Sequence, residues 1–423
     1  MNRKRRTISL PENKIFKITD YLLIFFLLQI RWISLLLNIR KLELILVPIV
    51  FYVLYRRNRT GIVNQKILMI FFIYLLLALV QGFIWGFSVV SLITSFSYGF
   101  LLPYFLFRIY REDFLYLLER VIKVLTIIAL TIWMINQILP GTKETITYLI
   151  NALNKYRVDD LTRGMIFYTY WPQLDQSFGL SRNAGFASEP GQFAVLIILA
   201  LVINYVRKIQ LFDRKNIIYY IALLSTFSTA GYLALAALGL LLLKQRSSRI
   251  VGVVLFPLFV YGALFAFNHL DFMKGKIEQQ YEDQIETSLN EPTTGRILGA
   301  RKSLVVLSKY PLYGRGVLAM TKPDSISDPE YANYGWISEM SRFGIIFGCL
   351  YMFFFFKGLY YFVSSSGNGS YEFFVCALAI MINLSSQVYI TSSFFMMFFF
   401  IGMYGSIKAN NKYTDSNHQL VSL

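Results

Sequence analysis

Charged residues, cysteine and histidine are all scarce in this sequence. Asp, Glu, Lys and Arg make up 15% of the 423 residues, whereas a water-soluble domain of this length would need a far more charged surface. The two cysteines, Cys349 and Cys376, stand inside apolar runs without metal-ligand spacing, so we interpret them as small packing residues. The two histidines, His269 and His418, stand beside neither cysteine nor paired carboxylates, which argues against a metal site and a Ser-His-Asp triad.

Apolar residues fill the chain instead, and they are gathered into long runs. Hydrophobic residues account for 56% of the sequence, aromatic residues for 17%, and the mean hydropathy is +0.52. Several runs exceed the roughly 18 residues that a bilayer crossing requires, and a segment in lipid must be helical to satisfy its own backbone hydrogen bonds. The sequence therefore predicts an all-α fold, a polytopic membrane bundle of about twelve transmembrane helices in one domain, residues 1–423.

The net charge of +17 is distributed in short basic clusters between the apolar runs. Such clusters are typical of cytoplasmic loops under the positive-inside rule. A nucleic-acid-binding function is not expected, because no soluble basic domain is present to carry a binding surface. The clusters contain Arg3, Lys4, Arg5 and Arg6; Arg56, Arg57 and Arg59; Arg207, Lys208, Arg214 and Lys215; and Lys244, Arg246 and Arg249.

The basic clusters also orient the predicted bundle. The basic head precedes a span without a small-residue cleavage site, so we expect an uncleaved first helix and a cytoplasmic N-terminus. The C-terminus is also expected in the cytoplasm, and the polar segments 140–189 and 269–334 are expected to be extracytoplasmic loops. The predicted spans are 20–38, 42–55, 66–87, 88–107, 116–139, 190–206, 250–268, 335–361, 371–388 and 391–407, with a pair of short helices at 216–227 and 232–243.

The first outer loop carries a polar segment that leads into a span. Arg182 and Glu189 stand seven positions apart. Gly185 and Gly191 permit close backbone approach, and Pro190 suits the first turn of a helix. We expect Arg182 and Glu189 to arrive together at the membrane surface. On the residues alone, a helix-capping Arg-Glu pair and a functional pair are equally good interpretations.

The second outer loop predicts an amphipathic helix over residues 295–309, ended by Pro311. Ile297, Ala300, Leu304 and Leu307 fall on one face at helical spacing, so the helix is expected to lie on the bundle. Arg296 and Arg301 then project near the apolar boundary. Guanidinium groups bind phosphate oxygens in bidentate fashion, so the two arginines suit a lipid-linked phosphate or diphosphate. The alternative is a solvated face balanced by nearby acids, which are Glu278, Glu282, Asp283, Glu286 and Glu291.

Three segments together resemble a known family. Residues 182–190 are similar to the R-x-x-G-F-x-S-E-P signature of O-antigen and capsular polysaccharide polymerases, the Wzy-like proteins. Residues 295–316 look like the G-R-x(n)-P-L-x-G-x-G stretch of their large outer loop, and residues 333–344 resemble the segment that opens their next span. The related O-antigen ligases carry a histidine where Asn333 stands here. Because Asn cannot act as a general base, the polymerase is the better match.

The resemblance implies an inverting, metal-independent glycosyltransferase without a cofactor. The donor would be a glycan on undecaprenyl pyrophosphate, at the outer face of a bacterial cytoplasmic (inner) membrane, with a chain-length regulator and a flippase as partners. On this interpretation Arg182, Arg296 and Arg301 bind the diphosphate, and Glu189 orients or deprotonates the attacking hydroxyl. Substrate-binding residues would be Arg315, Asn333, Trp336 and Arg342. The competing interpretations are an O-antigen-ligase-type transferase, a flippase for the same lipid-linked oligosaccharide, and a receptor or scaffold.

Overall fold

A computed structural model describes a little under three fifths of the chain, and all structural statements concern that part. Predicted span 250–268 lies outside it, as does nearly all of span 42–55. The described residues are 17–32, 48–49, 52, 65–85, 96–139, 142, 145, 163–164, 167–174, 180–187, 189–244, 296–314, 335–387 and 392–405.

The described part is mostly helical. Its α-helices are α1 (Ile18–Trp32), α2 (Gln65–Trp85), α3 (Leu102–Tyr110), α4 (Asp113–Ile138), α5 (Pro190–Val206), α6 (Ile217–Ser225), α7 (Thr229–Gly239), α8 (Arg296–Lys309), α9 (Gly335–Ser365), α10 (Ser370–Ser385) and α11 (Met396–Tyr404). A π-helical turn, Ser97–Leu101, leads into α3, and short 3-10 helices lie at Arg214–Asn216 and Leu240–Lys244.

Two of these helices, α4 and α9, are long and apolar enough to cross a membrane. They contain 26 and 31 residues, so at 1.5 Å per residue either exceeds the roughly 30 Å of a bilayer core. Several other apolar helices are shorter than a full crossing, among them α5 and α10. Helix α5 occupies residues 190–206, as predicted from the apolar run and its leading proline.

Besides the helices, the described part contains a small antiparallel sheet that the all-α prediction did not include. Strands β1 (Arg163–Gly164), β2 (Thr169–Leu174) and β3 (Ser181–Asn183) pair in the order β1-β2-β3. Strands of two to six residues give too short a period-2 pattern to be recognised in a polar loop. The sheet is joined to the end of α4, where Trp133 Nε1 donates to the Ser181 carbonyl at 2.7 Å.

Helix α5 is the centre of the core. Its residues are hydrophobic all round the helix, which is typical of a helix surrounded by others, and all but Tyr205 are buried. It packs against α4, α6, α7 and α10. Gly231 of α7 allows the closest approach, because a Cβ atom there would lie 2.9 Å from that of Ala194.

Helices α6 and α7 form the predicted pair of short helices, with a turn at residues 226–228. Ser228 caps α7 by accepting a hydrogen bond from the Gly231 amide at 3.3 Å. The Thr226 hydroxyl donates to the Leu223 carbonyl at 2.7 Å and accepts from the Ser228 amide. Small hydroxylated residues therefore satisfy backbone groups at this turn. The second helix begins at Thr229, three residues before its predicted start at 232.

Charged side chains gather at one end of the bundle, where α5 ends and α10 begins. Arg207 Nη1 lies 3.0 Å from Glu119 Oε2, and Lys244 Nζ lies 2.5 Å from Glu372 Oε1. Lys208 Nζ donates to Asn368 Oδ1 at 3.3 Å, between α9 and α10. We call this the basic end. The opposite end, where α5 and α9 begin and α10 ends, carries the segments singled out from the sequence, and we call it the motif end.

Candidate functional site at the motif end

The first of these segments enters the bundle at the start of α5. Glu189 occupies the extended N-cap position, and its carbonyl accepts the amides of Gln192 and Phe193 at 3.1 Å. Its side chain reaches sideways to α10, where Gln387 Nε2 lies 3.5 Å from Glu189 Oε2. Glu189 therefore lies at the junction of α5 and α10, partly exposed, with its carboxylate turned towards the end of α10.

Arg182 lies on β3, and its side chain contacts a different part of the bundle from the one that Glu189 contacts. Its Nε and Nη2 atoms donate to the carbonyls of Thr226 and Phe227 at 3.2 and 3.1 Å. These carbonyls follow the end of α6, where a positive charge complements the helix dipole. Arg182 thus contacts the α6–α7 turn, whereas Glu189 contacts the end of α10.

The residues next to Arg182 fix the approach to α5. Asn183 Nδ2 donates to Ser225 Oγ at 2.9 Å, and Asn183 Oδ1 accepts the Gly185 amide at 2.8 Å. Gly185 has a φ of +59°, and a Cβ atom there would lie 2.6 Å from the Phe193 ring. Glycine is required at this position on both counts. The spacing of Asn183, Gly185 and Phe193 is thus explained by folding as much as by chemistry.

Helix α8 forms over the predicted residues, but its buried side is different from the predicted one. Leu304, assigned to the bundle-facing side, is 53% exposed, whereas Lys302 is 1% exposed and Ser303 2%. Arg301 is exposed, as expected for a ligand-binding side chain on the rim. Arg296 begins the helix, and its side chain lies outside the described residues.

Helix α9 is broken near its start, and the turn that follows α8 is docked into the break. Gly344 has φ and ψ of 81° and 168°, and the Ile345 amide donates to the Pro311 carbonyl at 2.7 Å. Gly314 fits beside the break, since a Cβ atom there would lie 2.5 Å from the Gly344 nitrogen. The second and third segments of the resemblance are therefore packed directly on each other.

Gln81 of α2 joins this junction, and it was missed from the sequence. Its Nε2 atom donates to the Tyr313 carbonyl at 2.6 Å and to the Arg342 carbonyl at 3.0 Å. The signal available was a single amide in an otherwise apolar stretch of α2. A buried polar group of this kind in an apolar helix needs a specific partner.

The start of α9 lies against the end of α10. A Cβ atom at Gly335 would lie 2.1 Å from the Leu384 carbonyl oxygen, so only glycine fits there. Trp336 is half-buried against the hydrophobic core. Arg342 Nη1 lies 2.9 Å from Glu339 Oε1, so this predicted substrate ligand is held by an ion pair.

Two predicted substrate ligands, Arg315 and Asn333, lie outside the described residues. Within the part that the structure describes, no group of three or more His, Cys, Asp or Glu side chains could hold a metal ion. Comparisons with models of known families, with curated proteins and with solved structures find no match to this chain.

Proposed function

We propose that the chain is a membrane-embedded polysaccharide polymerase that joins lipid-linked repeat units at the motif end. One observation carries the proposal: the three segments that resemble the polymerase family meet there. Residues 310–314 fill the break in α9, Gly335 abuts the end of α10, and Glu189 reaches Gln387 on the same end of α10.

The distribution of charge supports an orientation. The basic end holds Arg207, Lys208 and Lys244 beside the helix termini, which under the positive-inside rule suits the cytoplasmic side of a bacterial inner membrane. The motif end then faces outward. The proposal keeps about twelve transmembrane helices, both termini in the cytoplasm, and a chain-length regulator and a flippase as partners.

The proposed step is an inverting glycosyl transfer. A hydroxyl of one repeat unit attacks C1 of the glycan on undecaprenyl pyrophosphate, and the C1–O bond to the diphosphate breaks with its electron pair. Arg296 and Arg301 stabilise the negative charge of the departing diphosphate, because fixed guanidinium groups act where charge develops. The hydroxyl proton passes to the Glu189 carboxylate, which already lies next to a polar partner, Gln387.

The other residues have supporting roles in this proposal. Arg182 holds the α6–α7 turn and so positions the segment that leads to Glu189. The Glu339–Arg342 pair keeps the start of α9 in place, while Trp336, Arg315 and Asn333 contact sugar.

The test is to replace Arg301 by alanine in the producing cell and to follow polymer length on gels. We expect long polymer to disappear while single repeat units accumulate on the carrier lipid. Arg214→Ala is the matched control, because Arg214 is also an exposed arginine but lies near the basic end. Normal long polymer from a correctly inserted Arg301→Ala protein would remove the assigned role.

A flippase for the same lipid-linked oligosaccharide is the second candidate, and the break in α9 favours it. Discontinuous helices commonly form the substrate sites of transporters. Purified protein in liposomes separates the two functions, since a polymerase lengthens the glycan on its carrier whereas a flippase moves the carrier across the bilayer unchanged.

A further inference from the structure

A buried amide without hydrogen-bond partners lies near the end of α10. Asn383 is 1% exposed, and neither its amide nitrogen nor its amide oxygen has a partner in the part of the chain that the structure describes. The Ser338 hydroxyl is equally buried and also has no partner among those residues. Gly335 abuts the carbonyls of Leu384 and Ser385, which brings the start of α9, with Ser338 one turn along it, next to the last turn of α10. The two unpartnered groups therefore share one small region of the motif end.

Such groups are unusual in a folded protein. A primary amide offers two N–H donors and an oxygen with two lone pairs, and burying them unbonded is destabilising. Asn216, near the basic end, is just as buried but donates to the carbonyls of Gln210 and Leu211 and accepts from Asn204. Among the described residues, two buried amides have no partner at either atom, Asn383 and Asn136, and both lie towards the motif end, Asn136 near the end of α4. A partner from outside the chain at this end would account for them.

The side chains near Asn383 indicate which kind of molecule that partner is. Gln387 lies one helical turn beyond Asn383, and its amide points to the Glu189 carboxylate at 3.5 Å. A carboxylate beside uncharged amides repels phosphate and accepts hydrogen bonds from hydroxyl groups. An amide can donate to one hydroxyl oxygen and accept from a neighbouring one, so the region suits a neutral molecule with adjacent hydroxyls.

We infer that Asn383, Ser338 and Gln387 form a subsite that binds sugar hydroxyls of the repeat unit next to Glu189. The inference rests on the proposed function and adds to it the place where the attacking sugar is held. In that place a bound hydroxyl lies within reach of the carboxylate that accepts its proton. The diphosphate then lies elsewhere, towards the arginines of α8.

The experiment compares the purified wild-type protein with Asn383→Leu and Asn383→Ala in detergent. The probe is the lipid-linked repeat unit extracted from cells in which this gene is deleted. Two quantities are measured for each protein, the thermal midpoint Tm with and without the probe, and the rate of glycan lengthening over a range of probe concentrations. Asn216→Leu is the matched control, because it removes a buried amide that is bonded within the chain.

We expect Asn383→Leu to raise Tm without the probe by a few degrees, because an unbonded buried amide is replaced by an apolar group of similar size. The rise in Tm caused by the probe should shrink, and KM should increase about tenfold, the equivalent of one lost hydrogen bond of ordinary strength. Asn216→Leu should lower Tm and leave KM unchanged. Asn383→Ala should reproduce the KM effect if leucine disturbs the fold.

The outcomes separate the inference from the proposed function. An unchanged KM in both Asn383 variants overturns the subsite, and so does a Tm that the probe raises as much in the variants as in the wild type. A wild-type protein that neither lengthens the glycan nor gains stability from the probe overturns the proposed function itself.

Discussion

Gly358 of α9 and Gly402 of α11 bring their two helices into direct backbone contact. A Cβ atom at Gly358 would lie 1.7 Å from the Phe398 carbonyl oxygen, and one at Gly402 would lie 1.9 Å from that of Phe354. Small residues allow such approach in helix pairs that are held by packing. The phenylalanines around the crossing then interlock, with the Phe355 and Phe398 rings 5.7 Å apart in an edge-to-face arrangement.

We predict that Gly358→Ala lowers the free energy of unfolding by about 1–3 kcal/mol, since the added methyl group overlaps a carbonyl that cannot easily move. The measurement is denaturant unfolding in detergent, followed by the helical circular dichroism signal. Gly239→Ala is the control. Among the described residues, no atom beyond the local backbone of the helix itself lies within 4 Å of a Cβ there, so alanine should leave stability unchanged or raise it by up to about 1 kcal/mol. Equal stability of Gly358→Ala and the wild type would contradict the close crossing.

A second prediction concerns the ion pair at the basic end. Glu119 is almost completely buried, and besides Arg207 it accepts a hydrogen bond from the Tyr219 hydroxyl at 2.8 Å. Arg207→Ala should destabilise the protein by roughly 3 kcal/mol, because it leaves a buried carboxylate without its cation. The double variant Arg207→Ala with Glu119→Leu should recover part of the loss. Lys208→Ala, next in sequence but exposed, should change stability by less than about 0.5 kcal/mol. A double variant less stable than Arg207→Ala would argue against the pair.

The third prediction separates a structural role of Arg182 from a catalytic one. Arg182→Ala removes two charge-assisted hydrogen bonds to the turn after α6, so a loss of about 2 kcal/mol of stability is expected. Hydrogen exchange should speed up at the amides of the α6–α7 turn. Arg182→Lys, which keeps the charge but not the forked geometry, should recover only part of that protection. If a variant loses polymerisation while its stability and hydrogen exchange stay at wild-type levels, Arg182 binds the diphosphate and does not serve only to hold the turn.

Most of the helix positions could be predicted from the sequence, because run length, proline and basic flanks are local signals. Helix α5 was predicted from Pro190 to its last residue. The α6–α7 pair was predicted because the basic residues on both sides are expected in the cytoplasm, and the segment between them is too short to cross a bilayer twice. The β-strands were missed, since each depends on its neighbour more than on its own residues.

What packs against each apolar surface could not be predicted. Both Phe353 and Phe398–Phe400 stand in runs of phenylalanine, yet Phe398–Phe400 are at most 2% exposed, whereas Phe353 is 59% exposed. Hydropathy does not distinguish a neighbouring helix from lipid tails, because the two are equally apolar. The same limit explains α8, where helical spacing predicted a helix but not which side the rest of the chain would cover.

The grouping of the three segments could be predicted better than the contacts of their residues. Three separated segments were expected at one end, and those of their residues that the structure describes do lie there. The individual roles depend on contacts across the fold. Gln81 and Asn383 carry no motif, so only the folded chain indicates what they contact or lack.

The junction at the break of α9 has a consequence for how the protein is made. Gln81 is separated by 232 and 261 positions from the residues whose carbonyls it binds. During synthesis α2 is therefore made long before its acceptors have left the ribosome. The motif end can be completed only when the last third of the chain has been synthesised, so a nascent protein stalled before α9 would hold the Gln81 amide in an apolar helix without its acceptors, a feature by which quality control could recognise it.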